Sequence, residues 1–560
     1  MNVPTRPVRM AAGMMVCFAA GGAYLASVAG VAAVGRPVEM VQAANGDDTC
    51  ARLATGKFGQ VEILSARTQP AGVAIDHAAL GKSMGPSPAA GLPEFCRVVG
   101  RIVPEPGSDI RFEVWMPTKT WDGRFHGVGI GGYAGAFDYL TLSLAVKAGQ
   151  AGVATDTGHQ ASMQDSAWAN GHPQRVRDYG WRAIHLSTVA AKKLVTAFYG
   201  RGPEHSYFVG CSGGGRQGLM EAARFPDDYD GVLAGAPAAS WTDLAVAMIN
   251  PVQAQLPPGA AIRPDQAPLI QEEVLRQCDA VDGQVDGLVA DPRQCRFDVS
   301  KLACGTSASA KCLAPAQITA LQRIYAGPRD ARGRQIAAAY LPGGSEVGVP
   351  MSVLGWEGYI LKGANGQPGG EGLVSGLLRD LVPRPFATPA TFDFNKDPAR
   401  LKAALSADLD APATLGAFFA RGGKLIVWHG WADAAIPPGA TLRYRDAVLQ
   451  RSGARAKNAM RLFMVPGTQH CMGGTGPDSF GQMNAPQQGD TPERSVVAAL
   501  QAWVEGGKAP ETLVARRGVG GLMGMRASGP ERQRLLCAFP RKAVLKPGAD
   551  PDQASSYSCS

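Results

Sequence analysis

The sequence predicts an α/β fold, a sheet flanked by helices, with a large second segment inserted into it. Three observations lead there. Short apolar runs closed by glycine or proline alternate with stretches of helical spacing up to Phe225, that alternation stops between Trp241 and about Ala411, and it returns from Leu415 to Val504. The chain has 560 residues, and single cores stop growing near about 250–300 residues, so a core with a large insertion is expected.

Taken in order, residues 1–44 read as an export signal. Arg6 and Arg9 precede a small-residue, apolar run from Met10 to Val34, with Ala-rich cleavage positions near Ala33 and Ala43. That run is long for a signal, so an uncleaved membrane anchor is the alternative. Cys17 lacks the Leu-Ala-small context of a lipoprotein. No later stretch is long and apolar enough to span a bilayer.

Residues 45–240 form the first part of the core. Arg111–Met116 (RFEVWM) alternates and ends at Pro117, and Arg124–Ile130 runs into Gly131-Gly132. Both predict strands closed by turns, as does Ala151–Thr155. Tyr179–Tyr199 has helical spacing and is followed by the strand-like Tyr207-Phe208-Val209. Residues 241–411 read as an inserted lid, rich in Pro connections, Asp-Gly turns and glycine clusters such as Gly363–Gly372. Residues 412–560 complete the core: a helix Leu415–Ala420 stopped by Gly422-Gly423, a buried strand Lys424–His429, a strand Arg461–Val465 and a helix Ser495–Val504.

Composition narrows the function classes. The formal charge is +8, and a leader carrying three arginines (Arg6, Arg9, Arg36) and one glutamate (Glu39) takes it to +6. With no long Lys/Arg run, nucleic acid is not an expected partner. Ten of the eleven cysteines lie beyond the leader. An even number in an exported chain predicts five disulfides and a secreted or periplasmic protein without stable membrane association once the leader is cut. Local spacing favours Cys278 with Cys295, Cys304 with Cys312, and Cys537 with Cys559.

Gly210-Cys211-Ser212-Gly213-Gly214 matches G-x-S-x-G between a strand-like run and a helix expected over Arg216–Phe225. A sharp strand-to-helix turn needs small neighbours because it strains the backbone of the nucleophile. It also offers helix N-terminal amides to an oxyanion. A serine that merely caps a helix gives the same pattern. The remaining partners decide between them: Asp433 follows the strand Lys424–His429, and His470 follows Arg461–Val465, in the order Ser, acid, His of an α/β-hydrolase fold. His470 would then take the Ser212 proton while Asp433 fixes the imidazole tautomer. His159 and His185 precede Ser212, His429 ends a buried strand, and Asp478 follows His470, so packing or hydrogen-bonding roles are expected for them.

Cys211 adjoins Ser212 and Cys471 adjoins His470. If serine and histidine meet, the sulfurs come within bonding reach, since a disulfide needs Cα atoms about 4.4–6.8 Å apart. The oxyanion hole should combine the Gly213 amide with one from Gly131-Gly132, Gly132 being the chosen donor. In the lid, Asp279, Asp282 and Asp286 stand among glycines and could offer carboxylates, with the carbonyls of Gln284 and Leu288, to Ca2+ in a structural role. The spacing is not that of an EF-hand, and Asp-Gly pairs also make plain turns.

These residues together resemble the tannase and feruloyl esterase family, from about Cys50 to Ser560. Its distinctive constellation is a Cys-Ser pair, an Asp and a His-Cys pair with the two cysteines bonded, carried here as Cys211-Ser212, Asp433 and His470-Cys471. Supporting stretches include EVWMP (113–117), TDTGH (155–159), DYGWRAIH (178–185), FPDDYDG (225–231), GGKLIVWHGWAD (422–433) and VPGTQHCMGG (465–474). The resemblance implies a serine hydrolase with an inserted lid, a small-molecule ester of an aromatic acid as substrate, and lid calcium on Asp279, Asp282, Asp286 and the carbonyls of Gln284 and Leu288. It also implies a Cys50–Cys96 bridge. Gly213 departs from the family, where many members carry a larger residue, and the lid between Gly343 and Pro385 matches weakly. Trp356 is a stacking candidate there or, more simply, a lid-core residue. Rival readings are a peptidase or acyltransferase with the same triad, or a calcium-bound binding protein without activity. The exact ester and the oligomeric state are not readable from the residues.

Overall fold

Among the described residues, nine strands form one sheet: β1 (Val61–Gln69), β2 (Phe95–Ile102), β3 (Ile110–Pro117), β4 (Arg124–Val128), β5 (Ala151–Thr155), β6 (His205–Cys211), β7 (Gly231–Gly235), β8 (Lys424–Gly430) and β9 (Met460–Val465). Their spatial order is β1-β2-β3-β5-β4-β6-β7-β8-β9. The first three and β5 pair antiparallel, and everything from β5 to β9 is parallel. This is an α/β-hydrolase fold. The computed structural model describes residues 46–75, 91–305, 311–348, 355–361, 369–482, 490–517 and 532–560. The leader 1–44 and parts of the lid segment 343–385 lie outside them.

Two-residue periodicity divides the central strands between two cores. Phe208, Val232, Leu425, Val427 and Leu462 pack on one face with α2 (Ala183–Tyr199), α3 (Gly213–Arg224) and the long helix after β8. Tyr207, Val209, Leu233, Ile426, Trp428, Phe463 and Val465 face the other way, against Val497, Leu500 and Trp503 of a late helix. Each buried side chain of that size contributes roughly 1.5–3 kcal/mol, so the parallel strands are the stable part of the molecule. In order along the chain, the remaining principal helices are α1 (Tyr139–Lys147), before α2, then α4 (Trp241–Ala254), α5 (Ala267–Cys278), α6 (Pro315–Ala326), α7 (Asp397–Leu409), α8 (Pro438–Ala459) and α9 (Val496–Gly506). Two small antiparallel pairs, β10 (Thr512–Arg517) with β11 (Arg532–Cys537) and β12 (Ala543–Leu545) with β13 (Tyr557–Cys559), finish the chain.

The helix expected from Tyr179 is present and begins earlier, at Pro173, with a wide π turn over Asp178–Arg182 before the regular stretch from Ala183. The π turn lies where packing is close. A Cβ at Gly180 would lie 2.3 Å from the Asp408 carbonyl, and buried Asp178 accepts from Arg182 Nε at 2.6 Å.

Residues 241–411 leave the sheet after β7 and return before β8, and the described residues among them add no strand to it. They have a core of their own, with Ile270, Val274, Leu321, Ile324, Trp356 and Leu361 in one cluster. Their two ends are clasped at the root. Ala411 N donates to Ala239 O at 2.7 Å, Ser240 and Asp410 form an antiparallel bridge, and Asp410 accepts from both Thr242 N at 3.1 Å and Thr242 Oγ1 at 2.6 Å. Five disulfides staple the chain: Cys50–Cys96, Cys211–Cys471, Cys278–Cys295, Cys304–Cys312 and Cys537–Cys559, with Cα separations of 4.9–6.0 Å. No helix among the described residues is long and apolar enough to cross a membrane.

Candidate active site

The turn from β6 into α3 brings chain segments closer than side chains allow. A Cβ at Gly210 would sit 2.5 Å from the Gly214 carbonyl carbon, and one at Gly129 would sit 2.7 Å from Gly214 Cα. With glycine at all three positions the β4 loop packs directly on the start of α3. Ser212 occupies the turn with φ 63° and ψ −123°, a conformation that costs a non-glycine residue about 1–3 kcal/mol and persists only where the surroundings over-determine it. Its hydroxyl caps no helix amide, so the helix-cap alternative fails.

The hydroxyl instead meets His470. Ser212 Oγ lies 2.9 Å from His470 Nε2, and His470 Nδ1 lies 2.8 Å from Asp433 Oδ2. The three residues sit at the carboxyl ends of β6, β8 and β9, the edge where parallel sheets place their sites. The Cys211–Cys471 bridge joins the two loops with Cα atoms 6.0 Å apart. Asp433 is buried, and its Oδ1 accepts from the amides of Ala435 and Ile436, both at 2.8 Å. Burial alone would raise this carboxyl. The His470 charge and the hydrogen bonds from His429 and His470 outweigh burial and hold it well below the usual carboxylate range.

Gly132 and Gly213 come together beside the serine: a Cβ at Gly213 would lie 3.5 Å from Gly132 N and 3.0 Å from the Ile130 carbonyl. Gly132 has φ 56°, and a Cβ there would meet the Met163 carbonyl at 2.5 Å. Neither amide donates to a backbone carbonyl among the described residues. This arrangement can deprotonate a hydroxyl, hold an imidazolium and present two amides to a developing negative charge.

The competing residues fall elsewhere. His159 Nε2 donates to the Tyr133 carbonyl at 2.9 Å and the ring stacks on Trp168, with burial lowering its pKa to about 4. His185 pairs with Asp228 at 2.7 Å. Asp478 accepts from Gly473 N at 2.7 Å and so orders the His470 loop. Trp356 is fully buried with Nε1 donating to Ser345 Oγ at 2.9 Å, a lid-core residue. Two further neighbours complete the site: Tyr359, which the sequence did not single out, and His429, expected only to pack or hydrogen-bond. The ring of lid residue Tyr359 stands nearly perpendicular to His470, 6.0 Å between centroids. His429 touches Asp433 itself, with Nε2 3.1 Å from Oδ2. Its position four residues before Asp433 in the stretch WHGWAD was the available signal.

The loop from Cys278 to Cys295 holds its acids by short backbone contacts. Asp279 accepts from the amides of Asp286 and Gly287, Asp282 from Gln284 at 3.0 Å, and Asp286 from Leu288 at 3.1 Å. Burial, and after it the charges of Asp286 and Asp279, push the Asp282 carboxyl up. The carbonyls of Gln284 and Leu288 accept no backbone amide among the described residues. Mutually repelling carboxylates beside two free carbonyls fit a hard divalent cation, with Arg534 already sharing the Asp286 carboxylate. Asp282, Gln284, Asp286, Leu288 and Arg534 line a cavity of about 420 Å³.

Comparison with known proteins identifies the family of the chain. The family described as tannase and feruloyl esterase matches residues 96–560. An esterase of Xanthomonas campestris pv. campestris is 37% identical over 498 residues, 84% of each chain. The mono(2-hydroxyethyl) terephthalate hydrolase of Piscinibacter sakaiensis is 33% identical, over 84% of this chain and 85% of that one. The crystal structure of feruloyl esterase B from Aspergillus oryzae superposes with a TM-score of 0.81 at 27% identity, covering 92% of this chain and 100% of that one. With a family match over most of its length and an ester-hydrolase relative above 30% identity, the chain belongs to the tannase and feruloyl esterase family and is a carboxylic ester hydrolase.

Proposed function

We propose that this chain cleaves esters of aromatic carboxylic acids by a two-step acyl transfer through Ser212. The observation that carries it is the continuous hydrogen-bonded line from Ser212 Oγ through His470 to Asp433. Ser212 Oγ attacks the ester carbonyl as its proton passes to His470 Nε2. The amides of Gly213 and Gly132 receive the oxyanion, and the alcohol leaves with the proton from His470. Water then attacks the acyl-serine, gives a proton to His470, and the acid departs as Ser212 recovers its hydrogen. The substrate class rests on relatives whose names specify feruloyl and terephthalate esters. The aromatic ring of Tyr359 beside His470 suits an aromatic acyl group.

The export signal 1–44 and five disulfides support a secreted or periplasmic enzyme. The loop carrying Asp279, Asp282, Asp286 and the carbonyls of Gln284 and Leu288 is the proposed Ca2+ site, where a bound ion would brace the lid by cross-linking its oxygens.

Purified, oxidised protein is expected to hydrolyse feruloyl, galloyl or terephthaloyl esters with kcat/KM above that for acetyl esters, and Ser212→Ala to lose about 10⁶ in kcat. A fluorophosphonate should add to Ser212 alone, read by peptide mass. Full aromatic-ester activity in Ser212→Ala would overturn the mechanism.

A further inference from the structure

Asp433 serves two imidazoles. His429, at the end of β8, is fully buried, and its Nε2 lies between two oxygens, Asp433 Oδ2 at 3.1 Å and the Ile436 carbonyl at 3.0 Å. Both are acceptors, so the ring proton must sit on Nε2. Nδ1, 2.7 Å from Thr441 Oγ1, is then free to accept from that hydroxyl. With its proton on Nε2 the imidazole satisfies every partner.

The same oxygen that accepts from His429 accepts from His470, at 2.8 Å. The other oxygen is taken by the Ala435 and Ile436 amides. Four donors therefore fix both the plane and the charge of the carboxylate, and two of them come from the short turn 433–436 that His429 itself closes by bonding the Ile436 carbonyl.

We propose that His429 is a positioning residue for the ester-cleaving reaction: with its proton on Nε2, it clamps Asp433 Oδ2 in line with His470 and draws on the lone pairs that His470 uses. The inference rests on the Ser212–His470–Asp433 mechanism proposed above. His429 never touches substrate, and it acts through Asp433. Removing its N–H leaves more negative charge on Oδ2 for the His470 imidazolium, so His470 holds its proton to higher pH. Among the described residues, the other ionisable groups that feel this carboxylate are the Tyr340 and Tyr359 phenols, both held above their ordinary range by burial and then by the Asp433 charge, and so neutral across the working range.

The test uses full-length oxidised protein and p-nitrophenyl acetate, with three variants. His429→Gln puts an amide N–H near the place of Nε2. His429→Asn places its amide near Nδ1, out of reach of Asp433. His429→Leu removes both. The Leu and Asn chains are expected to lose about 10- to 100-fold in kcat, with KM within about twofold, the usual cost of deleting an orienting partner. The acid limb of their kcat/KM profile should move to higher pH. His429→Gln should recover most of kcat and return the limb. If the Leu chain does not fold, the Gln and Asn pair carries the comparison. Overlapping limbs in all folded variants, or a Gln variant no better than Asn, overturns the proposal. Ser212→Ala, run alongside, separates the two readings: its full activity would sink the mechanism, whereas an inactive Ser212→Ala beside unaffected His429 variants sinks only the positioning role.

Discussion

At Asp433 the two carboxylate oxygens have different duties. Oδ1 faces two backbone amides, which leaves only Oδ2 for His470. An asparagine must keep its carbonyl oxygen on those amides, so its NH2 would point at His470 Nδ1 and drive the ring proton to Nε2, toward Ser212. Asp433→Asn is therefore expected to lower kcat by about 10⁴ without unfolding the protein. A loss below tenfold, with circular dichroism unchanged, would remove Asp433 from the mechanism. The serine, acid and histidine are legible in the chain because each follows a strand signal in a fixed order and two of them carry cysteine neighbours. His429 was readable only as a buried strand end. Its contact with Asp433 depends on the turn 433–436 folding back on β8, and no periodicity reports that. Tyr359 was hidden for a similar reason, being in the part of the lid whose irregular sequence gives no register.

At the scale of elements, the parallel strands announce themselves through apolar runs ended by glycine. The missed ones explain themselves physically. β2 reads FCRVVGRI, and its two arginines disguise a strand that is almost wholly buried. The disguise works because Arg97 is matched by Glu113 on the neighbouring strand, with two contacts of 2.8 Å. β7 is five residues flanked by its own glycines, too short to separate from a turn. β1 is an edge strand with mostly exposed or half-buried positions, so no face stands out. The acidic lid loop left two readings open in the sequence, cation site or plain turns, and its free carbonyls and crowded carboxylates favour the first. Chelation with EGTA is expected to lower Tm by about 1–2 °C, what about 1–2 kcal/mol gives in a chain of this size, and added Ca2+ to restore it. Asp282→Asn should sit at the chelated value from the start. A Tm indifferent to both treatments would assign the loop to turns.

For the whole molecule, the disulfides differ most in the length of chain they close. Cys211–Cys471 spans 260 positions and Cys304–Cys312 spans eight. In the chain-entropy description the long bridge is worth about 5 kcal/mol and the short one about half as much. Replacing both Cys211 and Cys471 by alanine should accordingly reduce Tm more than the same change at Cys304 and Cys312, and only the first pair should also reduce kcat. Calorimetry of the two double variants decides it, and equal losses would mean that the long bridge constrains little.

The root of the insertion has a further consequence. Because Ala239 and Ala411 are hydrogen-bonded to each other, and Asp410 reaches over to Thr242, the chain enters and leaves residues 241–411 through one paired neck, while above it Leu244, Leu377 and Leu401 pack in one cluster with Tyr133, Trp168 and Tyr179 of the frame. A descendant sequence can rebuild the insertion above that neck, and with it the shape admitted to the serine, only together with the frame side chains it packs on, while the strands below keep their spacing. Chimeras that join two relatives at this neck should inherit their chemistry from the frame and their choice of acyl group from the graft.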